Sequence, residues 1–311
     1  MGLSPGLLAS LRALGLEPRL DEPLARLGYW RIGGPADAFV EVHTASQLEA
    51  LLGLGEPLTV LGNGSNLLVA DAGIRGLTVR LLGELREARI EGAEAWVGAG
   101  LLNTVLLSRL ARAGRGGLGC LAGVPGTVGG AVRMNAGTAL GEIGPRVREV
   151  ELALPGGGRA RLPGEALSFG YRSASLPEGA VVLRVRLSLL DEAEAVRAEQ
   201  ESMRRHLEHR KATQPLDLPS CGSVFRNPPG QAAGRLIESV GLKGERRGEA
   251  CISDKHANFI VNLGGARAMD VHELVLLARD RVWQETGHRL QPEVHAVRDW
   301  PQGRWPLPQP P

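Results

Sequence analysis

The chain has 311 residues, 43% of them hydrophobic, enough to bury a substantial core in two or three domains. Its 36 basic and 34 acidic side chains are interspersed, which excludes a broad field for nucleic acid or an acidic membrane surface, so an anionic ligand has to be bound locally. Three cysteines, Cys120, Cys221 and Cys251, with no CxxC spacing, argue against a disulfide framework and a zinc site. Residues 1–30 lack a basic start followed by an apolar core, and no apolar run reaches the roughly 18 residues of a membrane span, so a cytoplasmic location is expected.

In chain order, Ser4 and Pro5 open a short amphipathic helix with Leu7, Leu8, Leu11 and Leu14, stopped at Gly15. Ser46 to Glu49 reads as a capping box, and Asn103 as the cap of a helix that ends at Gly114. Between them lie short, glycine-punctuated strand patterns: ADAFVEV, PLTVLG, LLVAD, LTVRL and EAWVGAG. Residues 191–211 form a long, highly charged helical pattern with few apolar anchors, followed by a proline-rich loop, and a domain boundary is expected near residue 205. Beyond it come a helix ending at Gly241, strands EACIS and ANFIVNL, a helix over 270–287 with Glu273 in the capping-box position, and a last strand RLQPEVHAV. The layering is α+β, and no internal repeat is present.

Several motifs fail on context. GLSPG at 2–6 has no preceding strand for a nucleophile elbow, and a helix cap is the better reading. His206 and His209 sit among Arg204, Arg205, Arg210 and Lys211, a poor setting for a cation. HELVL at 272–276 has Leu276 where a zinc-protease helix needs its second histidine. LGNGSNLLVADAG at 61–73 begins as GxGxx but has Leu67 in place of the third glycine, and CLAGVPGTVGGAVRMNAG at 120–137 lacks the Lys-Ser/Thr ending of a phosphate loop. Both stretches still carry successive amides and short hydroxyls that suit a pyrophosphate, although two tight turns would read the same.

These two loops, together with FGYR at 169–172, CGSVFRNP at 221–228 and PEV at 292–294, resemble the MurB family of flavin reductases of peptidoglycan synthesis, in order, from about Arg31 to His295. The resemblance implies an α+β fold with a two-lobed FAD-binding domain of the vanillyl-alcohol-oxidase (PCMH) type over residues 1–205, joined by the tail 290–311, and a smaller α+β substrate-binding domain over 206–289. It places Arg31, Gly62, Asn63, Gly64, Ser65, Asn66, Val124, Pro125, Gly126, Thr127, Gly129, Gly130 and Asn135 around FAD. Dissociable FAD is expected, because GNGSN carries no histidine or cysteine and Cys120 is only a distant candidate for a covalent tether.

The implied reaction has two half-reactions. NADPH reduces the flavin and leaves; the enolpyruvyl ether of UDP-N-acetylglucosamine then takes a hydride at its terminal carbon and a proton at the neighbouring one. Charge develops on the carboxylate side as an enolate-like species, which calls for a cation and an acid. Arg172 of FGYR matches the family's active-site arginine, and a planar guanidinium suits a carboxylate. Glu293 matches a glutamate that, if protonated, hydrogen-bonds the enolate oxygen, although its unperturbed pKa is about 4.3. Ser223 matches the proton donor, with Lys211 or Arg226 stabilising the alkoxide, and Tyr171 and Asn227 join the substrate contacts. Taken one at a time, each of these residues would be read as a surface ion pair, an edge charge or a turn hydroxyl; their occurrence in order carries the reading.

Three departures from the family stand out. A substrate tyrosine in an insertion after FGYR is absent, the serine of Y-R-x-S moves from Ala174 to Ser175, and His295 replaces the arginine after PEV. A monomer acting on a small molecule, without nucleic acid or membrane, is expected. The competing readings are another flavin oxidase or dehydrogenase of the same cofactor fold, and a non-catalytic nucleotide-binding module.

Overall fold

The computed structural model describes residues 3–297, so the part of the expected return segment beyond 297 lies outside the described residues. The chain forms two compact units. The first takes residues 3–20, 38–63 and 76–209; the second takes 21–37, 64–75 and everything described from 210 onwards. The expected division is 1–205 with the tail 290–311 against 206–289; by contacts, 21–37 and 64–75 group with the residues from 210 onwards, 290–297 included. Trp30, Ile32, Leu68 and Ala70 are buried in the core that also holds Phe225, Ile237, Val271 and Leu290, so two early segments belong with the late ones.

In the first unit the chain makes helices α1 (Pro5–Ala13), α2 (Ala45–Gly53), α3 (Asn103–Arg112) and α4 (Val128–Arg133), and α5 (Ala193–Thr213) extends from it. Ser4 caps α1 as expected, its hydroxyl accepting from Leu7 N at 3.2 Å. The capping box of α2 lies two residues earlier than the sequence pattern indicates. Thr44 is the cap, paired with Gln47, because the Thr44 hydroxyl and the Gln47 amide satisfy each other's backbone N–H. Asn103 is the first residue inside α3 and not its cap; its side chain turns instead to Val124 O, 3.3 Å away.

The main sheet of this unit is antiparallel, in the order Arg159–Pro163, Val147–Ala153, Val181–Ser188, Glu94–Gly98, Ala88–Glu91. Its strand VVLRVRLS alternates: Leu183, Val185 and Leu187 are buried in the core, while Arg184 and Arg186 take the other face. On that face Glu151, only 3% exposed, stands in register with Arg161 on one side and Arg184 on the other. Its carboxylate lies 3.6 Å from Arg159, 4.0 Å from Arg161 and 3.5 Å from Arg184. Arg161 and Arg186 also lie over the Trp96 ring, at 5.8 and 5.9 Å from its centre. A second sheet runs in the order Arg19–Pro23, Pro35–Val42, Ile74–Leu81, Leu58–Val60, the last two parallel.

In the second unit, Arg246–Arg247, Ala250–Ile252 and Ile260–Asn262 form a small antiparallel sheet beside α6 (Ala233–Ser239) and α7 (Ala268–Thr286). Helix α7 begins two residues before the expected Asp270. Asp270 occupies the third helical position and reaches back to Arg267 N at 2.9 Å, while the Asp71 carboxylate accepts from Ala268 N and Met269 N at 2.8 and 3.1 Å. At its other end Gly287 adopts φ +70°, the left-handed stop that the sequence indicates. His295–Val297 pairs in parallel with Leu67–Val69, so Pro292 lies ahead of the strand, where a missing N–H costs nothing.

Glu151 is the one charge of its sheet that is withdrawn from water and compensated only by arginines. Glu151→Ala leaves those guanidinium groups facing one another across a gap. The partners are partly exposed, so the expected loss is about 1–3 kcal/mol, read as a lower midpoint in urea unfolding with an unchanged slope.

Candidate active site

GNGSN follows the strand Leu58–Val60 and leads into Leu67–Val69. A Cβ at Gly62 would lie 2.9 Å from the Thr127 hydroxyl, so only glycine lets residue 127 approach this turn. The Asn63 carbonyl accepts from Arg80 at 3.4 Å. Gly64 has φ +60°, and a Cβ there would meet Gly28 Cα at 2.7 Å, while its own carbonyl accepts from Tyr29 N at 3.2 Å. The amides of Gly62, Gly64 and Asn66 donate to no protein acceptor among the described residues. Those unspent N–H groups are what an anion would take up.

The same division runs through 123–130. The amides of Gly126 and Thr127 make no hydrogen bond among the described residues, whereas Val124 N donates to Leu121 O, Gly129 N to Ala99 O at 2.8 Å and Gly130 N to the Thr127 hydroxyl at 3.4 Å. Gly129 therefore has a packing reason: a Cβ would lie 2.8 Å from that of Ala99, where α4 crosses the sheet. Pro125 lies between the two groups. Arg31, exposed and left-handed at φ +55°, follows the turn closed by its own amide on Gly28 O at 3.2 Å. Asn66 directs its side-chain amide to Glu293 O at 3.0 Å, and Asn135 directs its own into the protein.

Fitness for a flavin dinucleotide rests on these observations. Within the first unit, short side chains and open amides at Gly62, Gly126 and Thr127 match the demand of a pyrophosphate for many weak donors. Beside Gly126, the Asn103 carbonyl oxygen is buried without a partner among the described residues, a polar atom that a bound ligand could satisfy. Asn103 was missed in the sequence, where it read as a helix cap.

Ser223 follows Gly222, which has φ +75°. The strand-like segment after it is fixed from two sides. Asn258, 3% exposed, accepts from Phe225 N at 2.9 Å, donates to Phe225 O at 2.8 Å and receives Val224 N on its own carbonyl. Opposite, Glu293 N donates to Val224 O at 2.8 Å, Arg226 N donates to Gln291 O at 2.9 Å, and Phe225 bridges Pro292. Ser223 and Glu293, 70 residues apart in sequence, thus occupy neighbouring rungs. The Ser223 hydroxyl makes no hydrogen bond among the described residues, so no protein base activates it as a nucleophile. Asn227 accepts from Ala233 N at 3.0 Å, which makes it a support for α6, and exposed Lys211 accepts the Lys255 ammonium on its carbonyl at 2.8 Å.

Tyr171 and Arg172 are the two central residues of a tight hairpin whose strands pair Gly170 with Ser173 and Phe169 with Ala174. Arg172 lies over the Tyr171 ring at 5.2 Å, and its φ of +55° is the left-handed region that side chains avoid. Tyr171 remains 48% exposed. The serine displaced to 175 closes the hairpin base, its hydroxyl accepting from Ser168 N at 2.7 Å.

Two thiols near these segments are inert. Burial pushes Cys221 up to about 12, against Gly64 O and Leu67 O, and burial with the Glu199 charge pushes Cys120 up to about 11. Glu199 has a structural task that its charged helix concealed: its two oxygens accept from Gly117 N and Gly119 N at 2.7 and 2.9 Å, fixing the approach to residues 123–130.

Known proteins resemble this chain along most of its length. Residues 36–162 match the model of an FAD binding domain, and residues 214–297 match the UDP-N-acetylenolpyruvoylglucosamine reductase C-terminal domain. The UDP-N-acetylenolpyruvoylglucosamine reductase of Anaeromyxobacter sp. (strain K) is 47% identical over 90% of this chain and 85% of its own length, and that of Moorella thermoacetica is 44% identical over 93% and 95%. The crystal structure of the Thermus caldophilus reductase superposes with a TM-score of 0.79 at 43% identity, covering 91% of this chain and 99% of that one. The chain belongs to the UDP-N-acetylenolpyruvoylglucosamine reductase family.

Proposed function

We propose that the chain reduces the enolpyruvyl ether of UDP-N-acetylglucosamine to the lactyl ether, UDP-N-acetylmuramate, with Ser223, Arg172 and Glu293 as its catalytic residues. The enzyme is an FAD-dependent, NADPH-consuming oxidoreductase of peptidoglycan precursor synthesis. FAD, when bound and reduced, supplies the hydride for the terminal carbon of the enolpyruvyl group. The protein's own share is to hold the substrate carboxylate and to deliver the proton.

Arg172 pairs with the substrate carboxylate through its guanidinium fork and holds the negative charge that grows there as hydride arrives. Glu293, protonated, donates to the same developing enolate oxygen. Ser223 gives its hydroxyl proton to the carbon next to the carboxylate, so that one hydride and one proton complete the saturated product. Arg226, three residues after Ser223, is the nearer of the two cations in sequence to offset the serine alkoxide before a proton returns to it; Lys211 is the other. The observation that carries this reading is Ser223 itself, a hydroxyl with no base on it, on the rung next to Glu293. A group that donates a proton needs no base, whereas a nucleophile does.

FAD is held without a covalent bond, a reading supported by the protonated, buried Cys120 and Cys221. The protein acts on a small molecule in the cytoplasm as a monomer. No helix among the described residues is long and apolar enough to cross a membrane.

The purified protein is expected to show a flavin spectrum that NADPH bleaches under anaerobic conditions and that the enolpyruvyl nucleotide restores. A bleached spectrum that the nucleotide leaves unchanged would overturn the assignment. Ser223→Ala is expected to bleach with NADPH at a rate within about twofold of the parent, while reoxidation by the nucleotide slows by about 10²–10⁴-fold. Equal losses in both half-reactions would make Ser223 a positional residue. Arg172→Gly relieves left-handed strain of order 1 kcal/mol, so its thermal midpoint is expected to equal or exceed the parent's even as reoxidation falls by about 10²-fold or more.

A further inference from the structure

The hairpin that presents Arg172 is held from behind by one buried side chain. Asn135, 1% exposed and left-handed at φ +42°, follows the last turn of α4. Its amide nitrogen donates to Gly170 O at 2.9 Å and to Glu142 at 2.6 Å, and its carbonyl oxygen accepts from Gly144 N at 2.9 Å. Both amide protons are used. The Gly170 carbonyl belongs to the residue immediately before the Tyr171–Arg172 turn. Gly144 completes the packing, since a Cβ there would lie 2.7 Å from the Phe169 ring and 2.8 Å from the Asn135 oxygen.

At its other end, α4 starts from Thr127, the residue that closes on Gly62 and whose amide is unspent. Six helical residues therefore connect an expected flavin segment to the backbone of the arginine hairpin, all within the first unit. An amide that satisfies three protein groups at once has no donor left for a cofactor.

We propose that Asn135 is a positioning residue for the substrate half-reaction, aiming the Arg172 guanidinium through Gly170, and not a flavin contact. The proposal rests on Arg172 being the substrate-carboxylate cation. Left-handed backbone at both Asn135 and Arg172 makes the geometry stiff, and a guanidinium displaced by about 1 Å from a carboxylate forfeits much of its effect.

Aspartate at this position tests the donors separately from the shape. In Asn135→Asp a carboxylate faces both the Gly170 carbonyl and the Glu142 carboxylate, the titratable group in hydrogen-bonding contact with the site. Two carboxylates at that spacing share a proton when one is available. A shared proton restores at most one of the two donors.

Four quantities are measured on the flavin-loaded protein and on apoprotein titrated with FAD: thermal midpoint, FAD affinity by fluorescence quenching, NADPH bleaching, and reoxidation by the enolpyruvyl nucleotide. At pH 8, Asn135→Asp is expected to keep FAD affinity and bleaching within about threefold of the parent, while reoxidation falls by about 30-fold or more, with a raised half-saturating nucleotide concentration. At pH 6 part of that loss, relative to the parent at the same pH, is expected to return. Asn135→Gly, which suits the left-handed backbone, is expected to show the same selective loss without the return at low pH.

A parallel fall in FAD affinity and reoxidation would overturn the proposal in favour of a flavin contact, and unchanged reoxidation would overturn it outright. Arg172→Ala separates the two levels. If that variant reoxidises normally, the reading of Arg172 fails and the proposal with it. If it is crippled while both Asn135 variants behave like the parent, only the proposal fails.

Discussion

A polar group taken out of water has to find a partner inside, and that constraint organises the segments that hold the proposed catalytic residues. The segments around Ser223 and Arg172, the proposed catalytic residues, both draw on hydrogen bonds from outside their own turns. In each, a buried asparagine supplies those bonds from its side chain. Asn258 clamps Phe225 on both its N–H and its C=O beside Ser223, and Asn135 clamps Gly170 beside Arg172. Asn262 repeats the device for the Trp30 carbonyl and for the turn at Gly264 and Ala266. An amide suits the task because it offers two donors and an acceptor in one plane without a charge to desolvate.

Against these satisfied groups stand the ones left open. The amides of Gly62, Gly64, Asn66, Gly126 and Thr127 lie in turns whose glycines permit approaches that any side chain would block. Ser223 has a hydroxyl with no internal partner, and Arg172 a backbone conformation that its side chain disfavours. Open donors and strained backbone reduce stability, and the large apolar cores of the two units supply the margin. In the first unit the arginine ladder around Glu151 adds to that margin on the face of the sheet away from the core.

The candidate site could be named from residue order because its parts are short, contiguous strings. GNGSN, GVPGT, FGYR, CGSVF and PEV each need several specific residues together, and glycine is demanded wherever a Cβ would collide. Some helix ends were legible too: Gly287 ends α7 and Ser4 caps α1. The misreadings share one cause. Ser46, Asn103 and Asp270 have the right chemistry for a cap, but whether a short polar side chain caps its own helix depends on where neighbouring segments fall. Thr44 took the first role, and Asp71, almost 200 residues upstream, serves the N-terminus of α7.

The sequence by itself determined the alternating and helical patterns, the turn glycines and the candidate reactive side chains, because each follows from a residue and its near neighbours. Only the tertiary structure decided which polar groups are spent on the protein and which are left for a ligand. It separated Gly129, whose amide is spent on Ala99, from Gly126, whose amide is not, and it turned Glu199 from a surface charge into an anchor for Gly117 and Gly119. The physical reason is that a hydrogen bond is a property of a pair. The sequence names the donors and acceptors, and the fold alone selects which of them meet.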